Sequence, residues 1–176
     1  MKRSLYIVCL VLLSIAARGT DYVPTTHYFQ NMVPSQLLFT NNSHTGTVPS
    51  DGTVYDCANG AVFESYNSQV CIKIPRNDEV IISPAKERLS HFVVHHNAIG
   101  SELSQVQISI STDGENWTVV PDEQLIKYTN SIEATSLNGD YYIKLKNKYS
   151  TNAKIVYINE IVYYTSSCHC LRVVSE

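Results

Sequence analysis

The sequence is poor in charge, and the charge it has is not gathered into a patch. Charged residues make up 16% of the 176 positions, with 13 Lys and Arg against 16 Asp and Glu, for a formal net charge of -3. A protein that binds nucleic acid through its phosphates needs a basic stripe, and none occurs here. Hydrophobic residues reach 44%, which suits a packed core and argues against a disordered chain. We therefore expect a globular protein that does not bind nucleic acid.

The motifs of common enzyme classes are also missing. The sequence has no G-x-S-x-G nucleophile elbow, no H-E-x-x-H zinc motif, and no P-loop or glycine-rich phosphate loop. Its acidic pairs, Asp113 with Glu115 and Asp122 with Glu123, each lie within one turn-like segment. A glycosidase needs two carboxylates that face each other across a cleft. The sequence thus predicts a protein that is not an enzyme and requires no cofactor.

A long membrane-spanning run is missing, but a shorter apolar run follows the N-terminus. Lys2 and Arg3 precede the apolar residues 5–15, a length that is typical of a signal peptide and too short for a confident span. We place cleavage after Gly19, with a site three residues earlier as the second option. Residues 1–19 are therefore predicted to be a leader. The mature chain, with no transmembrane segment, is expected to be secreted, periplasmic or held at the cell surface.

Cysteine is scarce in the predicted mature chain, which has four, at positions 57, 71, 168 and 170. An even number in an exported protein suggests disulfides, and four cysteines allow three pairings. A bridge between Cys57 and Cys71 is the simplest, because a loop of this size closes readily and strand-like segments flank both residues. A Cys168–Cys170 bridge would be strained, and three adjacent residues cannot easily wrap a tetrahedral zinc ion. We predict a Cys57–Cys71 disulfide and a cysteine-containing tail at residues 167–176.

Helical periodicity is missing from every window of helical length, and short alternating segments take its place. In residues 105–111, Val106, Ile108 and Ile110 alternate with polar residues, and residues 141–146 repeat the pattern. A strict period of two predicts strands that have one buried face and one solvated face. About ten short strands, separated by turn signals, predict an all-β fold, a two-sheet antiparallel β-sandwich.

The composition divides the mature chain into an arm and a domain. Residues 20–50 are rich in Thr, Asn, Ser and Pro, so we expect a loose N-terminal arm with one candidate edge strand. The regular succession of strands and turns begins after this arm. Residues 51–166 are therefore predicted to be the β-sandwich domain.

Four segments of that domain together resemble a known group of modules. Residues 109–118 read SISTDGENWT, residues 140–146 read DYYIKLK, residues 156–161 read VYINEI, and residues 81–84 read IISP. This combination resembles the jelly-roll, galactose-binding-like β-sandwich modules attached to secreted bacterial polysaccharide-degrading enzymes and surface proteins. The resemblance covers residues 51–165 and implies the same fold. It also implies binding of a polysaccharide or another glycan, or of a cell-surface protein.

Aromatic residues other than tyrosine are few, with 12 tyrosines against one tryptophan and four phenylalanines. An aromatic ring can stack on the apolar face of a sugar, and the hydroxyl of tyrosine can also form hydrogen bonds. The candidate ligand-binding residues are Trp117, Tyr55, Tyr66, Tyr128, Tyr142 and Tyr149. The alternative interpretation is that each ring packs structurally.

The remaining polar candidates lie on two strand-like segments. Asn159 and Glu160 stand where the resembled modules often have two aspartates, and their oxygens could join a structural Ca²⁺ site, since calcium takes oxygen ligands. Otherwise they form a turn or bulge between the last strands. His91 and His95 would share one face of a strand, where a solvated face is the simpler interpretation.

Two functions remain open from the sequence. The first is a secreted, non-catalytic β-sandwich that binds carbohydrate or a cell-surface ligand. The second is a structural, adhesion or spacer module that binds no sugar. Binding to glycans in solution would separate them.

Overall fold

The computed structural model describes residues 22–29, 38–40, 45–47, 52–57, 59–83, 88–98, 106–149 and 155–166. Over these residues the chain is almost entirely β-structure, with a short 3-10 turn at Asp122–Gln124. The strands form two antiparallel sheets of seven strands each, and residues of both sheets share one core. The predicted all-β, two-sheet antiparallel sandwich is confirmed.

The strands of the described chain are numbered in sequence order. They are β1 (Tyr22–Tyr28), β2 (Leu38–Thr40), β3 (Thr45–Thr47), β4 (Val54–Asp56), β5 (Val62–Tyr66), β6 (Gln69–Ile74), β7 (Glu79–Ile82), β8 (Leu89–Ala98), β9 (Val106–Ser111), β10 (Thr118–Val119), β11 (Leu125–Lys127), β12 (Ser131–Ala134), β13 (Tyr142–Asn147) and β14 (Val156–Ser166). Sheet A has the order β11-β12-β8-β14-β6-β5, with β1 also paired to β14. Sheet B has the order β10-β9-β13-β7-β4-β3-β2.

The alternating apolar side chains of β9 and β13 pack in the core, as the sequence predicts. Val106 and Ile108 of β9 are buried, and Ile110 is half-buried against the same cluster. Ile143 and Leu145 of β13 are buried beside them. Because successive side chains of a strand point to opposite faces, the polar residues between these positions lie on the outer face of sheet B.

The predicted arm contributes more to the sandwich than the one edge strand expected. β1 pairs with β14 over seven residues, from Tyr22 opposite Ser166 to Tyr28 opposite Glu160. β2 and β3 extend sheet B beyond β4. The domain therefore draws strands from residues that the sequence assigned to a loose arm.

Strand β14 is the central element of sheet A. One of its edges pairs with β8 from Val156 to Thr165, and its other edge pairs first with β6 and then with β1. The ladder with β8 shifts register between Ile158 and Glu160 and again between Tyr164 and Thr165. These β-bulges decide which side chains reach each face.

Two predictions lie outside the described residues. They are the leader at residues 1–19 and the tail at residues 167–176, which includes Cys168 and Cys170. Within the described part of the chain, no helix has the length and apolar character needed to cross a membrane.

Candidate functional site

Two of the predicted surface tyrosines are core residues. Tyr55 is 0% exposed and Tyr149 is 4% exposed. The Tyr55 hydroxyl lies 2.6 Å from Nδ1 of His27 and 2.9 Å from the Tyr163 hydroxyl, so it joins both sheets through a buried polar network. The prediction that Tyr55 and Tyr149 bind a ligand at the surface is wrong, because tyrosine can be buried when its hydroxyl finds a partner.

The other predicted aromatic residues do not form one site. Trp117 and Tyr142 lie at the β9–β10 end of sheet B, where Nζ of Lys144 sits 4.1 Å from the centroid of the Trp117 ring. Tyr66 is on sheet A and stacks on Tyr157, with centroids 3.9 Å apart. Tyr128 lies in the turn between β11 and β12 and is 52% exposed. The predicted aromatic residues thus lie in three separate regions of the fold.

The predicted Cys57–Cys71 disulfide is not present, and this corrects the sequence interpretation. Both residues are buried free thiols. Cys57 follows β4 of sheet B and belongs to the core. Cys71 of sheet A pairs with Glu64, whereas the adjacent Ile72 faces the core. The two thiols therefore lie on opposite sides of sheet A and cannot bond. Burial raises the pKa of the Cys57 thiol to about 12.

Asn159 and Glu160 occupy a bulge in β14 rather than a turn. Asn159 is the extra residue between the partners of His96 and His95. Oε2 of Glu160 lies 4.0 Å from Nε2 of His95. The described residues contain no group of three or more His, Cys, Asp and Glu side chains arranged to hold a metal ion. A calcium site at Asn159 and Glu160 stays a prediction.

Three rings lie together on the outer face of sheet A, and we call Tyr22, His91 and Tyr164 the aromatic row. The imidazole of His91 stacks on Tyr164, with centroids 4.1 Å apart and an interplanar angle of 11°. Tyr22 meets His91 edge-on, with centroids 5.2 Å apart and an angle of 84°. Tyr22 is 50% exposed, so the row is open to solvent at β1.

Strand alternation and register bring the aromatic row together. On β8, Phe92 and Val94 are buried in the core, so His91 and His95 point outward. On β14, Ile161 and Tyr163 face the core, so Tyr164 points outward, directly opposite His91. Tyr22 is opposite Ser166, the next outward position of β14.

Polar groups adjoin the row on the same face. The His95–Glu160 pair lies along β8 and β14, and its side chains are 39% and 28% exposed. Glu133 of β12 lies opposite Val93, on the outward side of the sheet. The rings are thus bordered by hydrogen-bonding and acidic groups.

The outer face of sheet B differs, because its charges neutralise one another. Glu79 lies 3.5 Å from Nζ of Lys144 and 3.3 Å from Nζ of Lys146, and its side chain is only 14% exposed. Lys144 also covers one side of the Trp117 ring. On sheet B a lysine partly covers the Trp117 ring, whereas on sheet A three rings contact one another in series, so sheet A carries the candidate site.

Sequence reasoning identified part of the aromatic row. It placed His91 and His95 on one strand face, which the structure confirms, but it missed Tyr22 and Tyr164. No alternation marks Tyr22, because residues 22–28, YVPTTHY, do not alternate apolar with polar side chains. The sequence does not show that Tyr164 points outward, because the bulge at Asn159 shifts the alternation along β14 by one residue.

Comparisons with known proteins give structural matches but no sequence family. No family model matches the chain, and no curated protein matches it. A solved carbohydrate-binding module of family 29 aligns with a TM-score of 0.43 and 17% identity, covering 82% of this chain and 91% of that one. The module CpGH89CBM32-6, produced by Clostridium perfringens, aligns with a TM-score of 0.39 and 14% identity, covering 85% and 98%. Alignments at this level identify neither a ligand nor a binding face for this chain.

Proposed function

We propose that this chain is a non-catalytic module that binds a glycan on the outer face of sheet A. The observation that carries the proposal is the aromatic row, in which the His91 ring contacts both Tyr22 and Tyr164 on the outer face of sheet A. Aromatic rings stack on the apolar faces of sugars, and neighbouring polar groups hold the hydroxyls. His95 and Glu160 supply such groups beside the row.

The position of the row on strands favours a binding role. Its rings are held by three strands that pair directly, since β14 is bonded to both β1 and β8. A site on paired strands is more rigid than one on loops, which lowers the entropic cost of binding. The row therefore holds Tyr22, its exposed ring, on a preformed surface that is available for stacking on a sugar.

The chemistry near the row supports a non-catalytic role. Hydrolysis of a glycoside generally requires two carboxylates on opposite sides of the scissile bond. Glu160 and Glu133 lie on the same face of sheet A, and Glu160 is already next to His95. This arrangement suits the orientation of a ligand and lacks the opposed pair that acid–base chemistry uses.

Export forms part of the proposal. The basic and apolar segment at residues 1–19 is typical of a signal peptide, and extracellular polysaccharides are the partners that an exported glycan-binding module would meet. N-terminal sequencing of the secreted protein should begin at or near Thr20. A mature chain that retains Met1 in the cytoplasm would contradict export.

A matched pair of tyrosine substitutions tests the binding face. Tyr22 and Tyr128 are 50% and 52% exposed, but only Tyr22 belongs to the aromatic row. Tyr22→Ala should weaken binding of polysaccharide by ~10-fold, the cost of about one stacking contact, in affinity electrophoresis or calorimetry. Tyr128→Ala should leave the affinity within about twofold.

The outcomes separate the two candidate functions. If the wild-type chain binds no polysaccharide in a broad panel of glycans, the structural or adhesion role is correct instead. If Tyr22→Ala and Tyr128→Ala have equal effects, the chain binds glycan elsewhere than on the aromatic row.

A further inference from the structure

The hydrogen bonds around His91 determine which of its ring nitrogens carries the proton. Ser90 is the extra residue of the second bulge, between the partners of Tyr164 and Thr165. Its hydroxyl donates a hydrogen bond of 2.8 Å to the backbone carbonyl of Tyr164. The same oxygen lies 3.0 Å from Nδ1 of His91.

The single hydrogen of the Ser90 hydroxyl determines which atom donates in the contact between Ser90 and His91. A serine hydroxyl has one hydrogen, and the Tyr164 carbonyl, which can only accept, already takes it. Ser90 Oγ can therefore only accept from His91, so Nδ1 must carry a hydrogen and donate it. In a neutral imidazole the other nitrogen, Nε2, is then a hydrogen-bond acceptor.

Nε2 of His91 is left for an external partner. Among the residues that the structure describes, nothing donates to this atom, and it is not one of the buried nitrogens that lack a partner. The ring is half-buried and held by stacking on Tyr164 and by the edge of Tyr22. The row therefore presents an oriented acceptor between two tyrosines.

The charged residues around the aromatic row and the state of Nε2 together limit which ligand group can contact His91. Glu160 and Glu133 lie farther along the same outward face, on the strands on either side of β8. Arg88 precedes β8 at the other end of the row, and its backbone N–H donates to Oδ1 of Asp140. Because the Nε2 of a neutral imidazole cannot donate, a carboxylate or sulfate placed there would face a lone pair without a compensating donor.

We infer that the aromatic row selects uncharged sugars, with Nε2 of His91 accepting a hydrogen bond from a sugar hydroxyl and offering no donor to the carboxylate of a uronic acid or to a sulfate. This specificity rests on the proposed glycan-binding function. His91 is thus a ligand-contacting residue, and Ser90 is a positioning residue that fixes its tautomer.

The tautomer can be measured without any ligand. A long-range ¹H–¹⁵N spectrum of the wild-type protein at pH 8 should show His91 with its hydrogen on Nδ1. Ser90→Ala removes the acceptor and should shift His91 toward the Nε2–H form. A wild-type spectrum with the hydrogen on Nε2 would overturn the inference.

Selectivity is tested with pairs of a neutral and a carboxylate-bearing polysaccharide, of which xylan and glucuronoxylan share one backbone. The probes are galactan against polygalacturonate, mannan against alginate, and xylan against glucuronoxylan, each measured by affinity electrophoresis and calorimetry. The neutral member should bind at least ~10-fold more tightly in any pair that binds. Preference for the acidic member would overturn this inference and leave the proposed function intact. Binding to none of the six would overturn both.

A ring-conserving substitution isolates the acceptor. His91→Phe keeps a ring against Tyr164 but removes Nε2, and it should weaken binding of the neutral polysaccharide by ~10-fold. Ser90→Ala should give a smaller loss in the same direction. If His91→Phe binds the neutral polysaccharide as tightly as wild type while Tyr22→Ala binds it more weakly, the face binds glycan but His91 does not determine which glycan is bound.

Discussion

His96 is the residue whose environment fits its chemistry least well. It lies on the core side of β8 and is 2% exposed, and neither ring nitrogen has a hydrogen-bond partner among the described residues. Burial, and to a smaller extent the nearby His95, lowers the pKa of His96 from 6.5 to about 4. Protonation of His96 therefore opposes folding, because the cation would be buried with no acceptor.

The sandwich should accordingly lose stability in mild acid through His96. Its pKa is lower in the folded state than in the unfolded chain, so the unfolded chain takes up the proton first as the pH falls below 6.5. The free energy of unfolding should drop by up to ~3 kcal/mol between pH 7 and pH 4 from this group alone. Urea unfolding at several pH values measures the drop.

A variant without a histidine at position 96 provides the comparison, and the other buried histidine, His27, keeps its contact with Tyr55 in it. His96→Leu should show a smaller loss of stability over the same pH range, whereas His91→Gln, on the outer face, should lose as much as wild type. An identical pH dependence in wild type and His96→Leu would show that His96 does not set the acid sensitivity.

At the scale of elements, the bulges in β14 and β8 create the candidate site. If Asn159 continued the strand as a regular paired residue, alternation from the buried Ile158 would turn Glu160 and Tyr164 toward the core. Because Asn159 forms a bulge instead, Ile161 faces the core and Tyr164 lies outward. The second bulge places the Ser90 hydroxyl against the Tyr164 carbonyl. The two bulges thus determine on which face of sheet A the aromatic row lies and which hydrogen bonds form there.

Strand β9 gives the most direct test of the half-buried strands. Ile108 is 1% exposed, so Ile108→Ala should lower the free energy of unfolding by about 2–5 kcal/mol through lost burial and the remaining cavity. Gln107, its neighbour, points to the outer face opposite Lys146, and Gln107→Ala should cost under ~1 kcal/mol. Equal losses in urea unfolding would contradict the assigned faces.

For the whole molecule, alternation predicted the sandwich but not its full extent. The pattern in β9 and β13 is visible in the sequence because apolar and polar residues alternate strictly there. β1 has no such apolar row and contains Pro24, which is tolerated because β1 pairs only with β14 among the described strands. Its inward residue His27 is polar and is satisfied by Tyr55 of the other sheet, a contact that no local pattern encodes.

The candidate site was harder to predict than the fold for a related reason. The buried Tyr55 and the exposed Tyr128 are the same residue type, and the packing of the opposite sheet decides between them. The Cys57–Cys71 pairing failed because sequence spacing does not tell which face of which sheet a cysteine occupies. The aromatic row joins residues from β1, β8 and β14 that are distant in sequence.

The central claim is that the outer face of sheet A binds glycan, and mapping the contact by NMR tests it most directly. An oligosaccharide derived from a polysaccharide that binds is titrated into the ¹⁵N-labelled protein, and the shifted amide signals are assigned. We expect the largest changes around Tyr22, His91 and Tyr164, with little change around Trp117 on sheet B. Changes concentrated around Trp117 and Tyr142, with none on β1, β8 and β14, would contradict the account.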